Sequence, residues 1–462
     1  MPLEDQPKKV LIMAYEFPPM GGIPSVWVTK YVKFLPAFGW RPVVLTVKDA
    51  PTNLLDKSLE DDLPQGLYVR KSFSLEPTRL VRWVRSIRNR KKEENGRDQA
   101  GSVIHSYTRL PFNVLKKIKA FMIPDEKIGW FPFALRAALK VVRDTGPAVI
   151  FSTSPPYTTH LVAMACQRLT GLPWVCEFRD PWIDFPHYEP VTMFNRALVR
   201  WMERSTVARA DVVIAAMPGI IEGFKARYGD EIANKCRVIT NGFDPDDYSG
   251  EVGLEERFTI TWIGSIYGEL YPRALLEAAS RLIEDKEIPG SDLRIRFVGT
   301  MDVESYESIM KAEPKGVVEV LGFVDHRDCI EYMRSSHLLT LKLAEGKMSE
   351  ILYTGKMFEY LGCGRPILAM VGEGDTCHFL KNLGVGVVVK PDDIQEIYDA
   401  ILHYYSLYRS NSMPSMDDPD VLRKFNRKRL TGELAQIFNE VAEDNKTNVE
   451  GWDDSVHTKD DP

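Results

Sequence analysis

The sequence predicts an α/β fold of two doubly wound domains that face each other across a cleft. The chain has 462 residues, whereas a single hydrophobic core stops growing near about 250–300 residues, so at least two domains are expected. Short apolar runs alternate with helical patterns, which is typical of parallel sheets covered by helices on both faces. Turn-forming residues interrupt this alternation at 241–248, where the sequence reads NGFDPDDY. This break predicts the border between the domains.

The first half of the chain shows the alternation of a Rossmann-like domain. It opens with a strand at 9–14, a loop rich in Pro and Gly, and a helix at 24–35. An irregular stretch follows the second strand, at 41–47. The later predicted elements are strands at 148–152, 174–178, 212–215 and 238–240, and helices at 157–169, 193–209 and 219–228. We therefore expect an N-terminal domain over residues 1–245, with an insert at about 73–125.

The second half repeats the same alternation. Its predicted strands are 259–263, 294–298, 317–321, 338–343, 366–370 and 385–389, and its predicted helices are 272–283, 303–312, 326–335, 354–361, 375–383 and 394–405. These elements predict a C-terminal domain over residues 256–418, followed by a helix at 419–443. Sheets of this kind bind ligands beyond the carboxyl ends of their strands, so the cleft between the domains is the expected site.

Composition and charge are those of an ordinary globular protein. Hydrophobic residues make up 44% and charged residues 27% of the chain, and the formal charge is −6. Residues 440–462 hold eight acidic residues and two lysines, so this end of the chain carries the whole net charge. We expect a disordered acidic tail over 444–462. The remaining body is neutral, which argues against a nucleic-acid partner. The absence of a long apolar run predicts a cytoplasmic protein.

Two glycine-containing loops follow the first strand of each domain. They are EFPPMGG at 16–22 and IGSIYGELYPR at 263–273. Gly21, Gly22 and Gly264 would let the backbone approach a ligand, and the helix N-terminus after each loop favours an anion. Arg273 could then pair with a phosphate. The alternative for both loops is a tight turn, with Arg273 solvated.

The most informative segment is TGKMFEYLGCGR, which begins at Thr354. A helix that starts at Thr354 or Gly355 would present the amides of Gly355 to Met357 and the ammonium of Lys356 to a diphosphate. Glu359 lies one turn into this helix, where a carboxylate could accept hydrogen bonds from both hydroxyls of a ribose. The alternative is a capped amphipathic helix with a surface glutamate.

Two more loops follow consecutive strands of the first domain and should face the cleft. They are STSPPYTTH at 152–160 and EFRDPW at 177–182. Asp180 could accept a hydroxyl proton, and Arg179 could hold a charged group. The alternatives are a helix cap for Asp180, because Asp commonly precedes Pro at such positions, and a packed side chain for His160.

The sequence indicates no metal site. The eight histidines are scattered, the six cysteines lack CxxC spacing, and no HExxH motif occurs. Asp244, Asp246 and Asp247 resemble a DxD triplet, but their place in the interdomain turn favours a linker. The cysteines are expected to be reduced and buried.

Together these motifs resemble glycosyltransferase family 4, whose members have the GT-B fold. The matching segments occur in order along most of the chain. They are EFPPMGG, SPPYTTH, FRDPW, NGFD and TGKMFEYLGCGRPILA. The resemblance is closest to bacterial enzymes that build capsule, O-antigen or exopolysaccharide. It implies a nucleotide-diphosphate sugar donor on the second domain, an acceptor on the first, retention at the anomeric carbon, and no metal cofactor.

The resemblance assigns roles position by position. Glu359 would hold the donor ribose, and the turn from Gly355 to Met357 would hold the diphosphate. A helix at 419–443 would cross back onto the first domain. The expected catalytic residues are Asp180, Arg179 and Lys356; the donor residues are Gly21, Gly22, Gly264, Ser265, Arg273, Gly355, Lys356, Met357 and Glu359; and the acceptor-side residues are Glu16 and His160.

The sequence departs from the family pattern at two places. The usual Glu-x7-Glu pair is incomplete, because Ile351 stands where the first Glu belongs and Glu350 is one residue off. This departure leaves open how the transferred sugar is held. The Arg/Lys phosphate pair after the glycine of the second domain's first strand is also altered, with Ser265 and Arg273 as the nearest residues.

The insert contains a strongly basic segment. Residues 79–97 include eight basic and two acidic residues, or +6, and Leu80, Val84 and Ile87 fall on one helical face. A basic amphipathic helix suggests contact with anionic lipid at the inner face of the cell membrane, which would suit a lipid-linked acceptor. The alternative is a solvated helix or a disordered loop.

The leading functional prediction is a retaining glycosyltransferase that transfers sugar to a glycan or lipid-linked acceptor in surface polysaccharide synthesis. Two other functions fit the same double architecture. One is a nucleotide-sugar epimerase, which needs no acceptor, and the other is a non-catalytic, bilobal binder of sugar nucleotides. The base, the sugar and the acceptor are not readable from the sequence.

Overall fold

The computed structural model describes residues 7–49, 54–76, 122–183, 192–314, 316–343 and 355–453, with side chains as far as residue 445. Two parallel sheets, of seven and six strands, form the two domains, and helices follow the strands in a Rossmann-like pattern. This arrangement confirms the predicted GT-B class of α/β fold.

The first sheet has the strand order β3-β2-β1-β4-β5-β6-β7, and all of its neighbouring strands are parallel. The strands are β1 (Lys8–Met13), β2 (Trp40–Val47), β3 (Tyr68–Ser72), β4 (Val149–Ser154), β5 (Trp174–Phe178), β6 (Val212–Ala215) and β7 (Cys236–Val238). The order reverses between β1 and β4, which opens a crevice at their carboxyl ends. The loops that follow β1, β4 and β5 therefore meet at one edge of the sheet.

The second sheet has the order β10-β9-β8-β11-β12-β13 and is also parallel. Its strands are β8 (Phe258–Ile263), β9 (Leu293–Val298), β10 (Val318–Gly322), β11 (Leu338–Lys342), β12 (Ile367–Met370) and β13 (Gly386–Val389). Here the order reverses between β8 and β11, which makes a second crevice. Every residue of the central strands β4 and β8 is buried, because helices cover both faces of each sheet.

The helices of the first domain connect or precede its strands. They are α1 (Ile23–Phe34), α2 (Phe131–Thr145), α3 (Thr158–Thr170), α4 (Met193–Arg209), α5 (Pro218–Tyr228) and α6 (Asp230–Asn234). The remaining helices are α7 (Arg273–Glu284), α8 (Val303–Ala312), α9 (His326–Arg334), α10 (Gly355–Gly362), α11 (Asp375–Leu383), α12 (Ile394–Arg409), α13 (Pro419–Lys424) and α14 (Arg427–Asp453).

Two elements, β3 and α2, occur where the sequence suggested only an irregular stretch. Strand β3 lies at the sheet edge and carries Arg70 and Lys71, charges that are common on edge strands and resemble a loop in sequence. Helix α2 buries Ala134, Ala137, Ala138 and Val141, which have the spacing of an amphipathic helix. This spacing is visible in the sequence, so helix α2 could have been predicted from it.

The last helix, α14, packs against the first domain. The ring of Phe438 lies 5.4 Å from Trp40 and 5.5 Å from Phe151, between centroids. The helix continues to Asp453, into the range from residue 444 for which a disordered tail is predicted. Extending an anchored helix needs no new nucleation, so acidic and polar residues can follow its packed part. Residues 454–462 lie outside the described residues.

The basic segment 79–97 and most of the predicted insert also lie outside the described residues. All six cysteines are free thiols, and four of them are buried. Among the described helices, none has both the length and the apolar content needed to cross a bilayer.

Candidate active site

The N-termini of two helices from different domains meet at the centre of the cleft. A Cβ atom on Gly355, the first residue of α10, would lie 2.5 Å from Cγ2 of Ile23, the first residue of α1. The Nδ2 atom of Asn241, in the linker, donates to the carbonyl oxygen of Gly355 at 3.4 Å. Both helix ends carry free backbone amides and a partial positive charge, so this junction favours an anion.

Lys356 lies beside this junction, next to the glycine loop that follows β8. A Cβ atom on Gly264 would lie 3.0 Å from the Nζ atom of Lys356, and Gly264 has φ +108°, which favours glycine. The ammonium group also lies 4.8 Å from the ring centroid of Trp262. Burial lowers the pKa of Lys356 to about 8, although the carboxylate of Glu359 opposes that shift. The structure thus brings together two segments predicted to form the donor site.

Glu359 lies one turn into α10 and is buried. Its Oε1 atom is 2.9 Å from Nε2 of His326, the first residue of α9. Burial alone would lower the pKa of His326, but the Glu359 carboxylate outweighs it and the pKa is raised above 6.5. The carbonyl oxygen of Glu359 accepts a hydrogen bond from the hydroxyl of Tyr248 at 3.1 Å. Glu359 is therefore an oriented carboxylate in a mostly buried site, and not the surface glutamate of the alternative interpretation.

The N-terminus of α9 is capped by the opposite domain. The backbone amide of His326 donates to Oδ2 of Asp56 at 2.8 Å, whereas Asp325, at the N-cap position, makes no capping hydrogen bond with its side chain. The other carboxylate oxygen of Asp56 accepts from the amide and the hydroxyl of Ser58, at 2.9 and 2.6 Å. Asp56 is only 2% exposed. The contact therefore joins the two domains beside the Glu359 site.

The EFPPMGG loop packs against this same contact. A Cβ atom on Gly21 would lie 2.9 Å from Cζ of Phe323 in the second domain and 3.1 Å from Cβ of Asp56. The amide of Gly21 donates to the carbonyl of Leu54 at 2.9 Å, and Gly22 has φ +98°. Gly21 is therefore needed for the close approach of the domains, and Gly22 for the turn into α1.

Arg179 holds the loops of the first domain together. It is 7% exposed, and it donates to the carbonyl oxygens of Ser154 and Pro24, each at 3.2 Å, and to that of Pro155. One of its nitrogens lies 3.6 Å from Oε2 of Glu16. The donors of Arg179 are thus directed at the protein, and they tie the loops after β1, β4 and β5 together.

Asp180 and Glu16 are two partly exposed carboxylates of this region. Burial raises the pKa of Asp180, with Arg179 opposing the shift. Burial likewise raises the pKa of Glu16, against the charges of Arg179 and Lys127. A raised pKa makes a carboxylate a better proton acceptor, so either residue has the chemistry to deprotonate a hydroxyl.

His160 has no exposed surface in this structure. Its Nδ1 atom lies 2.8 Å from the hydroxyl of Ser152, and its ring lies 4.6 Å from that of Phe178, between centroids. Burial, with a further contribution from Arg179, lowers the pKa of His160 to about 3. The imidazole is therefore neutral and packed beneath the loops, so the prediction that it faces the acceptor does not fit this structure.

Three other predicted donor residues occupy different surroundings. Met357 is fully buried, so only its backbone amide can reach a ligand. The Ser265 hydroxyl lies 2.9 Å from that of Thr300 and is exposed. Arg273 begins α7, is exposed, and pairs with Glu277 at 3.1 Å. A phosphate contact by Arg273 would require the side chain to leave this partner.

Two acidic residues of the linker, together with Asp62, surround Lys30. The Nζ atom of Lys30 lies 2.5 Å from Asp62, 2.8 Å from Asp244 and 2.6 Å from Asp247. These three carboxylates are close enough to share a metal ion, but Lys30 supplies the positive charge. The arrangement favours the linker interpretation of the DxD triplet. Glu350 and Ile351, of the incomplete Glu-x7-Glu pair, lie outside the described residues.

Sequence reasoning did not identify His326, Asp56, Asn241 or Trp262 as site residues. A signal existed for His326, because it follows β10 and the carboxyl ends of parallel strands face the cleft. Asp56 gave no such signal, since it lies in a loop and acts on a helix of the other domain.

Comparison with known families identifies the class of protein. Residues 24–242 match the family model described as glycosyl transferase 4-like domain, and residues 257–406 match the one described as glycosyl transferases group 1. No curated protein sequence matches the chain. With its two Rossmann-like domains and its match to both family models, the molecule is a GT-B glycosyltransferase. The chain belongs to the family-4 type of these enzymes.

Solved structures share the fold at low sequence identity. The Anabaena protein HepE in complex with UDP has 15% identity and a TM-score of 0.62, and the match covers 94% of this chain and 100% of that one. Sucrose-phosphate synthase from Thermosynechococcus elongatus has 14% identity and a TM-score of 0.60, with coverages of 94% and 99%. A mutant of S. aureus TarM, in complex with UDP, fondaparinux and a glycerol glycoside, has 10% identity and a TM-score of 0.59, with coverages of 94% and 100%.

Proposed function

We propose that this glycosyltransferase moves a sugar from a nucleotide-diphosphate donor to a glycan or lipid-linked acceptor, with retention at the anomeric carbon, in surface polysaccharide biosynthesis. The observation that carries the donor assignment is the junction of the α1 and α10 N-termini beside Lys356. Retention and the polysaccharide role rest on the family resemblance. The UDP in the HepE structure supports a nucleoside diphosphate as the leaving group.

Stabilising the leaving diphosphate is the main electrostatic task of the reaction. Breaking the sugar–phosphate bond leaves negative charge on the diphosphate, and preorganised amides and cations lower the energy of that state. The backbone amides at Gly22, Gly355 and Met357 and the ammonium of Lys356 supply this stabilisation in the proposed complex. We infer that the reaction needs no metal ion, because these groups provide the positive charge.

The remaining site residues divide between donor and acceptor. Glu359 accepts hydrogen bonds from the donor ribose. These bonds either replace its bond to His326 or form beside it. Asp180 and Glu16, with their raised pKa values, face the acceptor hydroxyl, and Arg179 fixes the loops that carry them. The enzyme acts in the cytoplasm at the inner face of the membrane, and the basic segment 79–97 contributes to that attachment.

A donor panel tests this proposal. The purified chain is incubated with UDP-, GDP-, ADP- and TDP-sugars, with and without a membrane extract and with EDTA throughout. Acceptor-dependent release of nucleoside diphosphate is expected, and NMR of the product should show the anomeric configuration of the donor. Isomerised donor without an acceptor would establish an epimerase, and binding without turnover would establish a non-catalytic binder. Either result overturns the proposed transfer.

Deletion of residues 79–97 tests the proposed attachment. The deleted chain should float less with anionic vesicles than the full chain does, while it still binds the donor. Unchanged flotation would remove this segment from the proposal.

A further inference from the structure

Helix α4 exposes its largest apolar side chains. Met193 is 78% exposed, Phe194 73% and Trp201 58%. Single exposed apolar residues are common on protein surfaces, but here three belong to one helix. With 3.6 residues per turn, Phe194, Ala197 and Trp201 fall on one stripe, and Ala197 is exposed as well. This part of the helix therefore covers no core of its own domain.

A second stripe beside the first is cationic. Arg196, Arg200 and Arg204 are exposed and follow one another at intervals of four residues. Like charges at this spacing destabilise a helix, so the pattern is costly unless an anionic surface neutralises it. The acidic residue of α4, Glu203, is buried and pairs with Arg227 at 3.1 Å. The exposed side of α4 thus combines an apolar and a cationic stripe without an exposed acid. We call this set of seven side chains the α4 outer face; it consists of Met193, Phe194, Arg196, Ala197, Arg200, Trp201 and Arg204.

We propose that the α4 outer face docks on an anionic lipid bilayer, with the helix lying in the plane of the interface. Aromatic side chains on such a helix enter the boundary between headgroups and acyl chains, and arginines beside them bind lipid phosphates. Charge complementarity favours an anionic bilayer over a second copy of this chain. A two-fold contact with a second copy of this chain would bring the same arginine stripe against itself, so that occupant is disfavoured.

The position of α4 gives this docking a role. The amide of Ile183 donates to Oε1 of Glu203 at 3.2 Å, and Ile183 lies three residues after Asp180. The helix that meets the membrane is therefore bonded to the loop that carries the candidate acceptor carboxylate. This role rests on the proposed function, and it would bring the acceptor loop close to a lipid-linked acceptor. The docking itself does not depend on the transferred sugar.

Vesicle flotation of the full chain tests the docking. The vesicles are phosphatidylcholine alone or phosphatidylcholine mixed with anionic phosphatidylglycerol. Wild type should float only with the anionic vesicles. The triple variant Arg196→Gln/Arg200→Gln/Arg204→Gln should lose about 100-fold in partition coefficient, in line with three lost phosphate contacts. The double variant Phe194→Ser/Trp201→Ser should lose about 10-fold or more.

Matched controls come from helix α8 of the second domain and from helices α13 and α14. Val303 and Met310 on α8 are 40% and 42% exposed, and Arg423, Lys424 and Lys428 are exposed cations. Val303→Ser/Met310→Ser and Arg423→Gln/Lys424→Gln/Lys428→Gln should float like wild type. Far-UV circular dichroism and donor binding should be unchanged in every variant. Intact donor binding separates a failure of docking from a failure of the proposed function.

Three results overturn the docking proposal. One is flotation of the α4 variants at the wild-type level. This result overturns the proposal even if deletion of 79–97 abolishes flotation. Another is failure of the wild-type chain to float with anionic vesicles. The last is a wild-type dimer in analytical ultracentrifugation that the α4 variants dissociate, because a second copy would then cover the face.

Discussion

The imidazole of His326 and the carboxylate of Glu359 form a mostly buried pair, with 2.9 Å between Nε2 and Oε1. The backbone amide of His326 is bonded at the same time to Asp56 of the opposite domain. His326 thus connects the carboxylate proposed to hold the donor ribose with the contact that closes the cleft. Donor binding and domain closure would therefore act on the same residue.

Removing the Glu359 carboxylate should impair donor use. Glu359→Ala is expected to lower kcat/KM by at least about 100-fold, because a preorganised acceptor for the ribose is lost. Steady-state kinetics with the donor identified by the panel measures this. Glu373→Ala is the control, since that glutamate is exposed at the surface. Comparable activity of the Glu359 and Glu373 variants would contradict the ribose assignment.

The His326–Glu359 pair should make stability depend on pH in a defined direction. The pKa of His326 is raised above its ordinary value of 6.5, so the pair stabilises the fold fully below that value. This stabilisation is lost as the pH rises through the folded pKa. The Tm of wild type should exceed that of His326→Gln by more at pH 6 than at pH 9. An equal difference at both values would mean that the pair does not titrate as described.

Donor use should depend on the positive charge of Lys356. Lys356→Ala is expected to lower kcat/KM by at least about 100-fold through loss of a cation at the diphosphate. Because the pKa of Lys356 is lowered to about 8, wild-type kcat/KM for the donor should fall as the pH rises through that value. Lys356→Arg keeps its charge in that range and should flatten the profile, whatever its absolute rate. A wild-type profile that stays flat through pH 8 would contradict this role.

The contact between Asp56 and His326 should favour the closed cleft. Asp56→Ala removes a helix cap worth about 1 kcal/mol and, because the cap crosses the cleft, should shift the molecule toward a more open form. Small-angle scattering should show a larger radius of gyration for the variant, and saturating donor should restore closure. Asp61→Ala is the control, because its pair with Arg327 also crosses the cleft but is exposed. Identical scattering of wild type and both variants would show that the Asp56–His326 contact does not favour the closed cleft.

The fold was predictable because its signal is local, whereas part of the site was not. Strand β4 begins with the apolar run Val149 to Phe151, and β8 is mostly aliphatic and aromatic. The glycine loops follow strands, so the meeting of Gly264 and Lys356 could be expected from topology alone. The bond from Asp56 to His326 joins positions 270 residues apart and depends on how the domains close, which no local pattern encodes. The prediction selected Arg179 from its loop as a residue that holds a charged group, whereas its hydrogen bonds to carbonyl groups follow only from the packed structure.

Lys30 should stabilise the interdomain linker through its ion pairs. Its side chain is 3% exposed and lies within 2.8 Å of Asp62, Asp244 and Asp247. Burial alone would raise the pKa of Asp244, but Lys30 and Lys33 hold it below 3.8, so its contribution to stability is lost as the pH falls through the folded pKa. Lys30→Met removes the cation that all three carboxylates share, leaves Lys33 beside Asp62 and Asp244, and should lower the free energy of unfolding by about 3–5 kcal/mol at pH 7. Urea denaturation measures this against Lys33→Met, whose side chain is 21% exposed and whose loss should cost less. A Lys30 variant as stable as the Lys33 variant would show that the remaining cation suffices to hold the three carboxylates.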